Sequence, residues 1–136
     1  MKIGIKILAV VMVMTLILCG CGDVSGVKID YGKSSIYTRE DMDAAIEKIK
    51  NEFRMWDGCT LYTIDYVGDK RSMDNLDYVN DLDEDANFTQ CMVFESSFHT
   101  PADGGSGFNP DDTYTGWSWY LARSADGEWK LLTWGY

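Results

Sequence analysis

Thr38-Arg39-Glu40-Asp41-Met42-Asp43-Ala44-Ala45-Ile46-Glu47-Lys48-Ile49-Lys50-Asn51-Glu52-Phe53-Arg54-Met55-Trp56-Asp57-Gly58 decides how the rest of the chain is read. Met42, Ala45, Ile46, Ile49, Phe53 and Trp56 recur at three- and four-residue steps, the period of one helix face. Thr38 is placed as an N-cap, with Glu40 and Asp41 in the first turn, where the helix dipole favours anions. Tyr37 can staple against Met42, and Gly58 is the expected stop. Asp43, Glu47, Lys50 and Arg54 lie on the other side, the usual solvated face. A stripe this wide needs a sheet to cover it.

The sheet is legible on the C-terminal side. Residues 59–67 are rich in Thr, Tyr, Ile and Val and end at Gly68-Asp69, which predicts a strand and a turn. A weaker helix is expected over 72–82, with Leu76, Val79 and Leu82 inward. Residues 89–98 alternate as a second strand; a glycine-rich loop, 101–112, follows, and 114–123 and 128–136 form a hairpin about Ala125-Asp126-Gly127. The reading is an α+β domain: one long N-terminal helix packed on a curved, mainly antiparallel four-stranded sheet. Two registers fit the hairpin. In one, Trp119 faces Trp134 and Leu121 faces Leu132; in the other, Leu121 faces Leu131 and Arg123 faces Trp129.

On the N-terminal side the chain reads as an export signal. Lys2 and Lys6 precede the apolar run 7–18, which is shorter than the roughly 20 residues a bilayer span requires. It ends in Leu18-Cys19-Gly20-Cys21, which resembles the lipobox of bacterial lipoprotein precursors. The resemblance implies cleavage after residue 20 and a diacylated Cys21, with chains of the palmitate kind, holding the protein on the outer side of the cell membrane. Two acyl chains anchor firmly where one is marginal. The expected organisation is a signal peptide over 1–20, a lipidated cysteine and tether over 21–35, and one domain over 36–136.

Charge narrows the partners. The chain carries −10 overall; Lys2 and Lys6 are the only charges before residue 21, so the remainder carries −12. Such a balance argues against nucleic acid, whose binding rests on neutralising phosphate. Cys59 and Cys91 could form a disulfide in an oxidising compartment or stay as buried thiols. If their strands are antiparallel neighbours, the two cysteines fall at opposite ends, so a bond would require another arrangement.

The chain is poor in catalytic signatures. His99 is its single histidine, which excludes a multi-histidine metal site within one chain. Asp81, Asp83, Asp85 and Asn87 alternate like a calcium loop, but Ala86 and Met92 stand where that loop needs Gly and Glu. No catalytic residue, metal or cofactor is assigned. The surplus lies in aromatics: Trp117, Trp119, Tyr120, Trp129, Trp134 and Tyr136 crowd the final hairpin, with Phe108 in the loop beside it. Most are needed as core; one or two left exposed would make a binding surface for an envelope protein or glycan.

Thr38-Arg39-Glu40-Asp41 and the ending Trp117-Ser118-Trp119-Tyr120-Leu121-Ala122-Arg123, Gly127-Glu128-Trp129-Lys130-Leu131, Trp134-Gly135-Tyr136 resemble small lipoproteins of unknown function from Gram-positive (Firmicutes-type) bacteria. That resemblance implies a cystatin-like or NTF2-like cone. The functional expectation is a membrane-anchored, non-enzymatic accessory domain. The rivals are a small hydrolase using Asp and Glu, and a cystatin-like protease inhibitor suggested by fold analogy.

Overall fold

The computed structural model describes residues 21–105, 107–125 and 127–136. The expected signal peptide and the central residue of the Ala125-Asp126-Gly127 turn lie outside the described residues. Five strands form one sheet: β1 (Lys28–Asp30), β2 (Thr60–Tyr66), β3 (Gln90–His99), β4 (Thr113–Arg123) and β5 (Lys130–Gly135). Their order across the sheet is their order in the chain. β1 runs parallel to β2, with α1 (Arg39–Phe53) as the connection, and the other pairs are antiparallel. Helices α2 (Asp69–Asp74) and α3 (Leu76–Leu82) link β2 to β3.

This corrects the expected four-stranded sheet under one long N-terminal helix. Among the described residues the sheet is mixed and has five strands, and the helical part is divided among three helices. α1 has 15 residues, follows a strand and stops at Phe53. From Arg54 to Cys59 the chain continues in short turns, Met55 N–H to Glu52 and Trp56 N–H to Phe53, until Gly58 turns left-handed at φ +73°. The cone implied by the family resemblance goes with that correction. β1 escaped the sequence reading because three residues with a single apolar side chain, Ile29, hold no period.

The start of α1 has a capping box. The Asp41 N–H donates to Thr38 Oγ1 at 3.1 Å, and the Thr38 N–H donates to Asp41 Oδ2 at 3.1 Å. A cap of this kind is worth about 1 kcal/mol. The buried stripe Met42, Ala45, Ile46, Ile49 and Phe53, with Trp56 just beyond, packs on one sheet face against Leu61, Ile64, Met92, Phe94, Trp119 and Leu121. Each large side chain so buried contributes about 1.5–3 kcal/mol. On the other face, Val79 of α3 and Phe88 cover Cys91, Val93 and Ala122.

Three register shifts decide which side chains reach the α1 face. Leu61 pairs with Phe98 but Thr63 with Ser97, so Tyr62 is the extra residue in β2. Phe98 pairs with Tyr114 but Ser96 with Trp117, with Gly116 left-handed at φ +67°. In β5, Trp134 faces Trp119 and Leu131 faces Leu121. The two hairpin registers are thus both present, one on each side of a bulge. Side chains alternate along a regular strand, so residues three apart should point to opposite faces. Each bulge cancels that alternation. Leu61 with Ile64, Tyr114 with Trp117 and Leu131 with Trp134 are thereby gathered on the aromatic side.

Candidate functional site

The rings converge at one pole, where α1 ends, β2 begins and β5 finishes. Trp56 is the hub. Its ring stacks on Trp119 (centroids 5.2 Å, 24°) and contacts Phe53, Phe98, Phe108, Trp117 and Trp134 within 6.3 Å. Phe108 brings the 101–112 loop into this cluster, at 5.3 Å from both Phe98 and Tyr114. The loop is therefore pinned to the core. Gly104 enables the pinning: it is left-handed at φ +81°, and a Cβ there would strike the Phe108 carbonyl.

The aromatic residues singled out in the sequence divide among the core, the opposite sheet face and the surface. Trp119 and Trp129 are core residues, at 0% and 3% exposure. Trp129 lies under the Arg123 guanidinium, 4.6 Å from its ring, and edge-on to Tyr37. Tyr120 is half-buried and meets Tyr78 of α3 on the opposite sheet face. Trp134 and Tyr136 remain at the surface, 38% and 81% exposed. Tyr136 stacks on Tyr114 at 6.4 Å and meets Trp117 edge-on at 5.1 Å. The Trp117 indole N–H is buried with no hydrogen-bond partner among the described residues. Tyr114 and Met55, which is 72% exposed, belong to this surface and were missed. Their signal was faint: each depends on a bulge or turn that a strict period does not register.

Cys59 and Cys91 are buried and unbridged. β2 and β3 are antiparallel neighbours, with Thr60 opposite His99, and Cys91 lies eight residues back along β3. At about 3.3 Å per residue that is roughly 26 Å, far beyond the ~7 Å limit between bridged Cα atoms. A bond between them is excluded by this register. Burial pushes the Cys91 thiol up to about 12. Cys21 is exposed, next to Gly22, whose N–H bonds to the Arg54 carbonyl at the end of α1.

The opposite sheet face carries a second, polar feature. Asp30 faces Asp65, and Asp65 faces Glu95, which sets three carboxylates in a row across three strands. Asp65 and Glu95 line a shallow pocket of about 290 Å³ with Thr63, Ser97 and Gly116. Burial first, then the charges of Asp30 and Glu95, raise the Asp65 pKa. Among the described residues, only Glu95 of the row has a cationic partner, Arg71 at 2.7 Å. Beside the pocket, His99 stacks on Tyr62 and shares hydrogen bonds with Asp111 and Thr113. Asp83 of the acidic stretch lies 3.8 Å from Lys130, and no group of side chains suited to a metal ion occurs among the described residues.

Like charges directly opposite on a sheet are destabilising. Replacing Asp65 with Asn is therefore expected to raise stability by roughly 0.5 kcal/mol, with a gain that grows as rising pH ionises the carboxyl. A urea midpoint unchanged or lowered by D65N would show that the row is relieved in some other way.

Compared with protein-family models, curated proteins and solved structures, the chain matches none.

Proposed function

We propose that the protein is an extracytoplasmic binding module, lipid-anchored at Cys21 and without enzymatic activity of its own, that makes its contacts through the aromatic pole. One observation carries the reading: Trp134 and Tyr136 are exposed, Trp134 against the buried rings of Trp56 and Trp119 and Tyr136 against the half-buried rings of Tyr114 and Trp117. Preorganised aromatic side chains offer large contact area at little entropic cost, which is why rings of this kind dominate binding surfaces. The lipobox resemblance supplies the anchor and the address.

The test is the thermal midpoint of the mature chain carrying Cys21→Ser, alone and with oligosaccharides, cell-wall fragments, peptides and phosphatidylcholine vesicles. A partner at a hundred times its dissociation constant adds about 2.7 kcal/mol. Tyr136→Ala should leave the unliganded midpoint nearly unchanged and weaken binding about tenfold or more. Retained binding in the Trp134→Ala/Tyr136→Ala double variant would place the contact surface elsewhere.

Hydrolysis by paired carboxyls is the second reading, favoured by Asp65 and Glu95 meeting in one pocket with the Asp65 pKa raised. Such shifts are what acid catalysis requires. Against it, Asp65 is exposed and Glu95 is held by Arg71. Hydrolytic activity that disappears in D65N would reverse the order of the two readings.

A further inference from the structure

The chain between Cys21 and the first strand has no slack. Gly22 is buried and donates its N–H to the Arg54 carbonyl at 2.9 Å. A Cβ on Gly22 would collide with the Phe53 carbonyl oxygen, so the backbone can lie this close only without a side chain. Asp23 follows at once: its N–H donates to the Cys59 carbonyl at 2.8 Å, its own carbonyl accepts from Leu61 N–H at 2.9 Å, and it bridges to Thr60. Further on, the Ser34 hydroxyl and the Ser35 N–H both donate to the Asp69 carboxylate. The stretch expected to be a tether is part of the domain.

Cys21 therefore leaves the fold at a fixed point, one peptide (about 3.8 Å between Cα atoms) from Gly22, where α1 ends. The same pole presents Met55, Trp134 and Tyr136 at 72%, 38% and 81% exposure. Met55 adjoins the Arg54 that holds Gly22, and Trp56 joins it to Trp134 through a ring contact of 6.3 Å.

We infer that Met55, Trp134 and Tyr136 rest in the interfacial zone of the bilayer that holds the Cys21 lipid, so that the domain stands on the membrane in one orientation. The inference rests on the reading of Cys21 as lipidated and names the partner of the aromatic pole. Trp and Tyr prefer the headgroup level, where an amphipathic ring has one end apolar and the other wet. An anchor leaving the fold at the end of α1, the same end of the domain, brings them to that level without a separate binding event. Charge does not assist: Asp57 and Asp103 are exposed near this pole, and the chain beyond residue 20 carries −12. Contact comes from ring burial, and anionic lipid should weaken it.

The experiment uses the full, processed chain reconstituted in phosphatidylcholine vesicles, with intact mass reporting the lipid on Cys21. A fluorophore is placed at Met55→Cys or, at the opposite pole, at Asp85→Cys; the native Cys59 and Cys91 are buried and do not compete for label. With nitroxide at the lipid headgroup, the label at position 55 should be quenched severalfold more than that at 85. A flexible Gly-Ser spacer of about 12 residues between Cys21 and Gly22, with a reach of roughly 20 Å, should reduce that difference. Equal quenching at both positions in the lipidated, unspaced chain overturns the orientation, and a difference that the spacer leaves untouched overturns the role of the stitched N-terminus. An unlipidated Cys21 in the mass spectrum instead removes the anchor reading, and this inference with it.

Discussion

Trp119→Ala is expected to cost about 3–5 kcal/mol, the range for emptying a buried tryptophan site. Trp119 is fully buried, stacks on the hub ring of Trp56 and donates its Nε1–H to Ser96 Oγ at 2.9 Å. Removing it opens a cavity at the centre of the sheet and leaves the buried Ser96 hydroxyl without that donor. A domain of this size holds about 5–15 kcal/mol in all, so the variant should lie near the edge of folding. Urea unfolding followed by circular dichroism measures the loss. A shift below about 1 kcal/mol would show that the ring cluster closes over the gap and that Trp119 is not its centre. Trp119→Phe should recover most of the packing while still lacking the bond to Ser96.

Tyr37→Phe removes a single oxygen, yet the expected loss is about 2–4 kcal/mol, because two buried backbone groups lose their partner together. β2 stops at Tyr66, opposite Phe94, and beyond it only Val67 continues to β3 through its bond to Val93. At Cys91 no strand remains on that side. The Tyr37 hydroxyl takes the place of the missing strand, donating to the Cys91 carbonyl at 2.6 Å and accepting from the Cys91 N–H at 3.1 Å. Burial pushes the phenol up to about 12, against an ordinary 10.0. A raised folded pKa means that the native state holds the proton more tightly. Its stabilisation is present in full below about pH 10 and is lost as the pH climbs toward about 12. The buried Cys91 thiol acts in the same direction. Thermal midpoints between pH 9 and 12 should fall for the native chain and fall less steeply for Tyr37→Phe; parallel curves would separate Tyr37 from the alkaline limb.

What could be read in the sequence follows from period and length. The α1 stripe is visible because six apolar residues repeat on one face, and all six are buried. The later strands stand out because β-branched and aromatic residues alternate between turn signals. β1 is too short to show a period and shares its stretch with Gly22, Gly26 and Gly32, which look like a linker until Gly22 is seen fitted against Phe53. The expected helix over 72–82 divides at Asn75, whose side chain bonds back to the Arg71 carbonyl, a competition with helical bonding that local sequence does not resolve. The aromatic pole was legible as composition but not as a surface. Three bulges choose which rings meet there, and a bulge is a tertiary compromise with little local signature beyond Gly116.

Strand order has a kinetic consequence. Because β2 to β5 lie side by side in the order of synthesis, each new strand meets its neighbour already in place, and the sheet can grow from one edge as the chain emerges from any pore, N-terminus first. Pairings between successive strands keep their contacts local along the chain, which favours rapid folding. β1 is the exception. It comes first, has no partner until α1 and β2 have followed, and must then dock parallel to β2. The segment joining Cys21 to the sheet thus waits for residues 54–66, the end of α1 and all of β2, before it gains its bonds, and it is in place before β3 to β5 are complete.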